Sequence, residues 1–120
     1  MRREETRFFA GDPRALTIYA AVRAAVDALG GATISVSRSQ IGFRRKRAFA
    51  AVWRPAQYLR GDRPPLVLSV FLPRRDPSLR WKTVVEPAPG RFTHHLELRS
   101  PAEVDDELAG TVAEAWRESA

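Results

Sequence analysis

Cysteine is absent from the 120 residues. That one absence excludes disulfides, thiolate nucleophiles and cysteine-ligated zinc. Long apolar runs are absent as well. The longest, "PPLVLSVFLP", is strand-sized and far short of the about 18 residues that cross a membrane. "MRREETRFF" at the start mixes charges and holds no apolar core of signal-peptide length. Catalytic signatures are missing too: no G-x-S-x-G, no glycine-rich phosphate loop, no H-E-x-x-H, no dinucleotide fingerprint. The expectation is a cytoplasmic protein without membrane, cofactor or metal, and without an enzyme's motif set.

A chain of this length suits one domain, residues 1–120, with residues 1–10 read as an N-terminal arm. It can bury roughly two thirds of its unfolded surface and needs no staple. Its charge is uneven. The net value is +6, but residues 37–82 hold 12 cations against 2 anions, and residues 97–120 hold 2 against 7. A basic middle of this kind is the footprint of polyanion binding. Eighteen of the 20 cations are arginine, a bias that a GC-rich genome also produces.

Hydrophobic spacing gives the elements. Asp12-Pro13 opens a helix whose apolar stripe runs through Ala15, Tyr19, Val22, Val26 and Leu29, and Gly30-Gly31 closes it. "TISVS" at Thr33–Ser37 alternates like a strand. Gln40–Arg44 and Ala48–Arg54 form a hairpin with Arg45-Lys46-Arg47 at its turn. Leu66–Leu72 is the clearest strand, apolar enough to be central. Residues 73–91 hold several prolines and read as mostly loop, with a short strand near Lys82–Val85. Phe92–Arg99 alternates again, with Phe92, His94, Leu96 and Leu98 on one side. Ser100, Pro101 and Glu103 then signal a second helix through a capping box. Gly110 inside that helix suggests close packing on the sheet. The fold class is α+β in two layers: an antiparallel sheet of about five strands, with the N-terminal and C-terminal helices on one face.

Three stretches resemble a known family: "FFAGDPRAL", "SQIGFRRKRAFAAVW" and "HHLELRSPAEVDDEL". The chain is similar to the small bacterial domain of unknown function 5655 family. Ile41, Phe43, Phe49 and Val52 in the hairpin carry much of the likeness. The resemblance implies a helix, a curled antiparallel sheet and a closing helix, distantly like frataxin. It implies no activity beyond a DNA-related context.

The first candidate site is the basic hairpin. Arg44, Arg45, Lys46 and Arg47 cluster at its turn, with Arg54 at the end of its second arm and Arg38, Arg60 and Arg63 near its base. Arginine forks onto phosphates and stacks on bases, and each neutralised phosphate releases counterions. The competing reading is a solvated turn whose charges protect a strand pair from aggregation. A second candidate is an aromatic surface on the uncovered sheet face. Phe49, Ala51 and Trp53 alternate with Ala50 and Val52, so one set faces away from the helices. Trp53, Tyr58, Trp81 and His95 would line such a surface for bases, a small ligand or a partner protein. A minor core under the loops competes with it.

His94-His95 is a poor metal pair, because neighbours in a strand point to opposite faces. His94 reads as a buried, hydrogen-bonded imidazole. Glu103, Asp105, Asp106 and Glu107 sit where carboxylates complement a helix dipole. Asp76 with Glu97-Leu98-Arg99 only loosely resembles a nuclease motif. The expected function is therefore a small non-enzymatic binding module, with DNA or RNA the favoured partner at the hairpin. The alternative is a protein-interaction or small-ligand domain using the open face. Monomer and homodimer both remain open.

Overall fold

A computed structural model describes residues 1–57 and 61–120. Among the described residues three α-helices, α1 (Arg3–Phe8), α2 (Pro13–Asp27) and α3 (Asp106–Glu118), accompany six strands. The strands are β1 (Thr33–Val36), β2 (Ile41–Arg44), β3 (Ala48–Trp53), β4 (Leu66–Leu72), β5 (Thr83–Ala88) and β6 (Arg91–Leu98). They form one antiparallel sheet in the order β1-β2-β3-β4-β6-β5. The class is α+β, with one strand more than the sequence suggested. The extra strand length is β5, which runs through Pro87. As an edge strand it tolerates a residue without a donor.

Both long helices lie on one face. Ile41, Phe43, Ala50, Val52, Leu66, Leu68, Val70, Leu96 and Leu98 meet Ile18, Tyr19, Val22, Leu108 and Val112 in one core. Each of the valine, leucine, isoleucine and phenylalanine side chains contributes about 1.5–3 kcal/mol on burial. Gly30 and Gly31 end α2 with positive φ, +135° and +147°, which L side chains rarely adopt. At Gly30 an added Cβ would also stand 3.3 Å from the Trp116 ring.

Phe49 departs from simple alternation. Arg44 pairs with Ala48 but Phe43 pairs with Ala50, so Phe49 is an extra residue on β3. This bulge turns Phe49 into the core beside Phe43, with ring centroids 6.3 Å apart. Phe49 is therefore not on the face of Ala51 and Trp53.

The segment expected to be an N-terminal arm contains α1. Six residues do not hold a helix by local propensity. Long-range contacts hold this one: Glu5, Phe8 and Phe9 are buried. Glu5 accepts from Arg23 Nε at 2.7 Å, from the Tyr19 hydroxyl and from the Arg2 backbone N–H.

At the other terminus the capping box forms, but it closes only a 3-10 turn at Pro101–Glu103. Asp105 then serves as a fresh N-cap, accepting from Leu108 N–H at 3.0 Å, and α3 starts from there. Gly110 is exposed and a Cβ there would meet nothing within 4 Å, so packing does not explain it.

Residues 73–82 carry the chain from β4 past β6 to the outer strand β5. They are strapped to α3. Arg74 grips Glu114 with two bonds of 2.7 Å, and Arg80 reaches Asp105 and Glu107 at 2.8 and 3.0 Å.

Candidate functional site

The hairpin turn does not project freely. It closes the last turn of α3, whose terminal carbonyls have no helical partner. Lys46 and Arg47 donate their backbone N–H groups to the Ser119 carbonyl at 3.1 and 3.2 Å. Arg45 Nη1 donates to the Trp116 carbonyl at 3.1 Å, and Arg47 Nη2 to the Glu118 carbonyl at 3.2 Å. Cations at a helix C-terminus also complement its dipole. The Arg45 guanidinium lies over the Trp116 ring and is half-buried. Arg44 is exposed and folds back on the Lys46 carbonyl, and the Lys46 side chain is exposed.

Arg54 stands at the far end of β3, about 20 Å from Arg47 at the usual rise per residue. It pairs with Asp12 at 3.3 Å and lies over Phe8 and Phe9. Strand length therefore separates Arg54 from the cluster the sequence suggested.

Other cations lie nearer the turn. The antiparallel order brings the end of β4 and the β5–β6 turn to the same end of the sheet as the hairpin turn. A hollow of about 290 Å³ there is lined by Arg47, Phe71, Pro73, Pro87, Arg91 and Phe92. Arg75 lies over Phe92, 5.5 Å from its centroid. Sequence reasoning missed Phe71 and Arg91, because only strand register shows that they adjoin Arg47, and it missed Arg75, which reaches this end through Phe92.

The uncovered face carries a second, shallow depression of about 460 Å³, lined by Gln40, Ala51, Trp53, Ser69, Phe71 and His95, with Thr93. Ser69 Oγ and His95 Nδ1 are 2.8 Å apart across neighbouring strands. Burial lowers the pKa of His95, which keeps the imidazole neutral near pH 7. The sign of Ser69 was in the sequence: it interrupts "LVLSVFL" on the Val67–Phe71 side. Phe71 and Thr93 line both hollows, so the open face runs into the basic end.

Of the expected aromatic set, Trp53 and His95 share this face. Trp81 does not. Its Nε1 donates to Asp76 at 2.8 Å and its ring sits 5.0 Å from that of His94, on the helix side. Tyr58 lies outside the described residues, as does Arg60. His94 is fully buried, accepts the Asp76 N–H on Nε2 at 2.9 Å, and has Nδ1 3.3 Å from the Val70 carbonyl.

The acidic start of α3 is occupied by Arg80. Among the described residues no group of three or more His, Cys, Asp or Glu side chains is placed to hold a metal ion. Asp76 sits beside His94 on the helix side, whereas Glu97 is on the opposite face with Val67. The sheet thus separates the two acids of the loose nuclease resemblance.

Fold and site together define a small α+β sheet module, covered by helices on one face and open on the other. The chain belongs to the family described as Domain of unknown function (DUF5655), which matches residues 5–119. Comparison with curated proteins gave no match, and comparison with solved structures gave none. Among the described residues no helix is long and apolar enough to cross a membrane.

Proposed function

We propose that this protein is a non-enzymatic, cytoplasmic binding module that takes single-stranded nucleic acid across its open sheet face. The observation that carries this reading is the continuity of the two hollows through Phe71 and Thr93. Single-strand binders combine aromatic platforms for bases with cations that follow the backbone. Trp53 and Phe71 supply the platforms. Trp53 pairs with Val67, and Phe71 lies four residues further along β4, about 13 Å away. That separation leaves room for two distinct bases. Arg44, Lys46, Arg47 and Arg91 supply the phosphate contacts at the basic end. Neutral His95 offers its Nε2 to a base edge between them. Binding of this kind is weak, salt-sensitive and largely independent of sequence.

Fluorescence anisotropy with a labelled oligonucleotide of about 12 nucleotides tests it. Saturable binding that weakens with salt, and weakens further in Phe71→Ala, is the expected result. A partner protein on the same face is the second reading. It rests on the apolar lining by Ala51, Trp53 and Phe71. No oligonucleotide binding at low salt would remove the first reading and favour the second.

A further inference from the structure

The hollow at the basic end has a floor. Leu72 and Ala115, which line it, are 3% and 1% exposed. β4 stops at Leu72, and Pro73 leads the chain away to the bond between Arg74 and α3. Walls stand on both sides: the hairpin turn at Arg47 and Ala48, and the β5–β6 turn at Arg91. Past Phe71 and Thr93 the open face therefore runs into a recess and not into a passage. A polymer laid along that face can send an end into the recess but cannot thread through it.

Size and charge suit such an end. A volume of about 290 Å³ is at the small end of ligand pockets, which begin at roughly 300 Å³. Phe71 and Phe92 give it aromatic walls. Arg47 and Arg91 line it, and both are exposed. Arg47 gives one of its N–H groups to the Glu118 carbonyl, a neutral acceptor, so its charge is not cancelled there. Arg75 lies over Phe92. Among the described residues none of these three guanidinium groups is in an ion pair. Two carboxylates stand nearby: Glu118 in the lining, and Glu86, which accepts the Gly90 N–H at 3.0 Å in the β5–β6 turn. Three cations against two anions leave the recess positive, and exposed Arg44 and Lys46 at the adjoining hairpin add to it. An internal phosphate carries one negative charge. A terminal phosphate monoester carries about 1.5–2 at pH 7 and offers three oxygens to guanidinium forks.

We infer that the recess receives the phosphorylated end of a single strand, so that the strand lies on the open face with one fixed polarity. The inference rests on the nucleic-acid reading above and deepens it. The terminal phosphate sits between Arg47 and Arg91, and the last base lies against the aromatic wall.

Three oligonucleotides of one sequence, labelled internally, test it by anisotropy: one with hydroxyls at both ends, one with a 5′ phosphate, one with a 3′ phosphate. One phosphorylated end, and only one, should bind about tenfold more tightly than the hydroxyl form, the gain expected from charge-assisted hydrogen bonds. The end that gains gives the polarity. Arg91→Ser, at an exposed position, should keep its thermal transition and lose that gain. Equal gains at both ends would reflect added charge alone and overturn the inference. So would no gain at either end, or a gain undiminished in Arg91→Ser. In each of those cases the open-face reading survives. No binding by any of the three removes that reading, and the inference with it.

Discussion

Arg45 lies over the indole of Trp116, its Cζ 3.8 Å from the ring centroid, and donates to the carbonyl of the same residue. Trp116 in turn donates its Nε1–H to the Gly31 carbonyl at 2.8 Å. One indole thus ties the hairpin turn, the end of α2 and the end of α3 together. The cation in the middle of "RRKR" is a structural clamp as much as a surface charge.

Arg45→Ala should therefore lower stability by about 1–3 kcal/mol, summing a cation–π contact and a hydrogen bond. Lys46→Ser, one residue along with an exposed side chain, should change it by less than about 0.5 kcal/mol. Urea titration of both variants reads the contrast. Equal stabilities would mean that the turn carries no structural load.

Nucleic-acid contacts are better probed outside that clamp. Lys46→Ser/Arg91→Ser should reduce affinity for a single strand and flatten its salt dependence by about 1.4 in logarithmic slope, the share of two phosphates. Phe71→Ala should weaken binding by about 1–3 kcal/mol and leave that slope unchanged. Anisotropy titrations across several salt concentrations separate the two effects. A slope unmoved in the first variant would place the phosphates elsewhere.

Glu5 predicts an acid limit on the docking of α1. Burial alone would raise its pKa, but bonds from Arg23, Tyr19 and the Arg2 N–H outweigh it and hold the value at about 2, against an ordinary 4.5. A depressed carboxyl pKa gives stability that is present above about pH 4.5 and is lost as pH falls towards 2. The loss should reach up to about 3 kcal/mol. Glu5→Gln should start less stable at pH 7 and show a flatter profile between pH 5 and pH 2. Thermal melts across that range check it; parallel profiles would exclude Glu5 as the source.

His94 makes the same argument near neutrality. Burial is the main cause of its lowered pKa. Nε2 accepts the Asp76 N–H, so the proton of the neutral ring sits on Nδ1, towards Val70. A histidine with a depressed pKa leaves the fold unaffected above its ordinary 6.5 and destabilises it as pH falls below that. Imidazole nitrogen NMR should show the Nδ1–H tautomer with no titration midpoint at or above 6.5. A midpoint there would contradict the buried, neutral assignment.

Local pattern determined much of this protein. The stripe of α2 with its Asp12 cap and double glycine, the apolar β4 and the alternation of β6 are properties of neighbouring residues, and neighbouring residues specify them. The buried His94 was legible for the same reason: period two put it with Leu96 and Leu98. The candidate site was legible only in fragments. Residues 44–47, Trp53 and His95 stood out by charge, ring or alternation. Their neighbours Phe71 and Arg91 come from other strands.

Contacts between distant residues decided the rest. The helix at Arg3–Phe8 exists because Glu5 meets Tyr19 and Arg23, and nothing in six residues announces that. Phe49 turns inward because β3 carries one more residue than β2 opposite it, a mismatch that only pairing creates. Arg45 became a clamp because α3 ends beneath it. Spacing along a chain fixes which way a side chain points within its own element, whereas its partners depend on how the elements fold together.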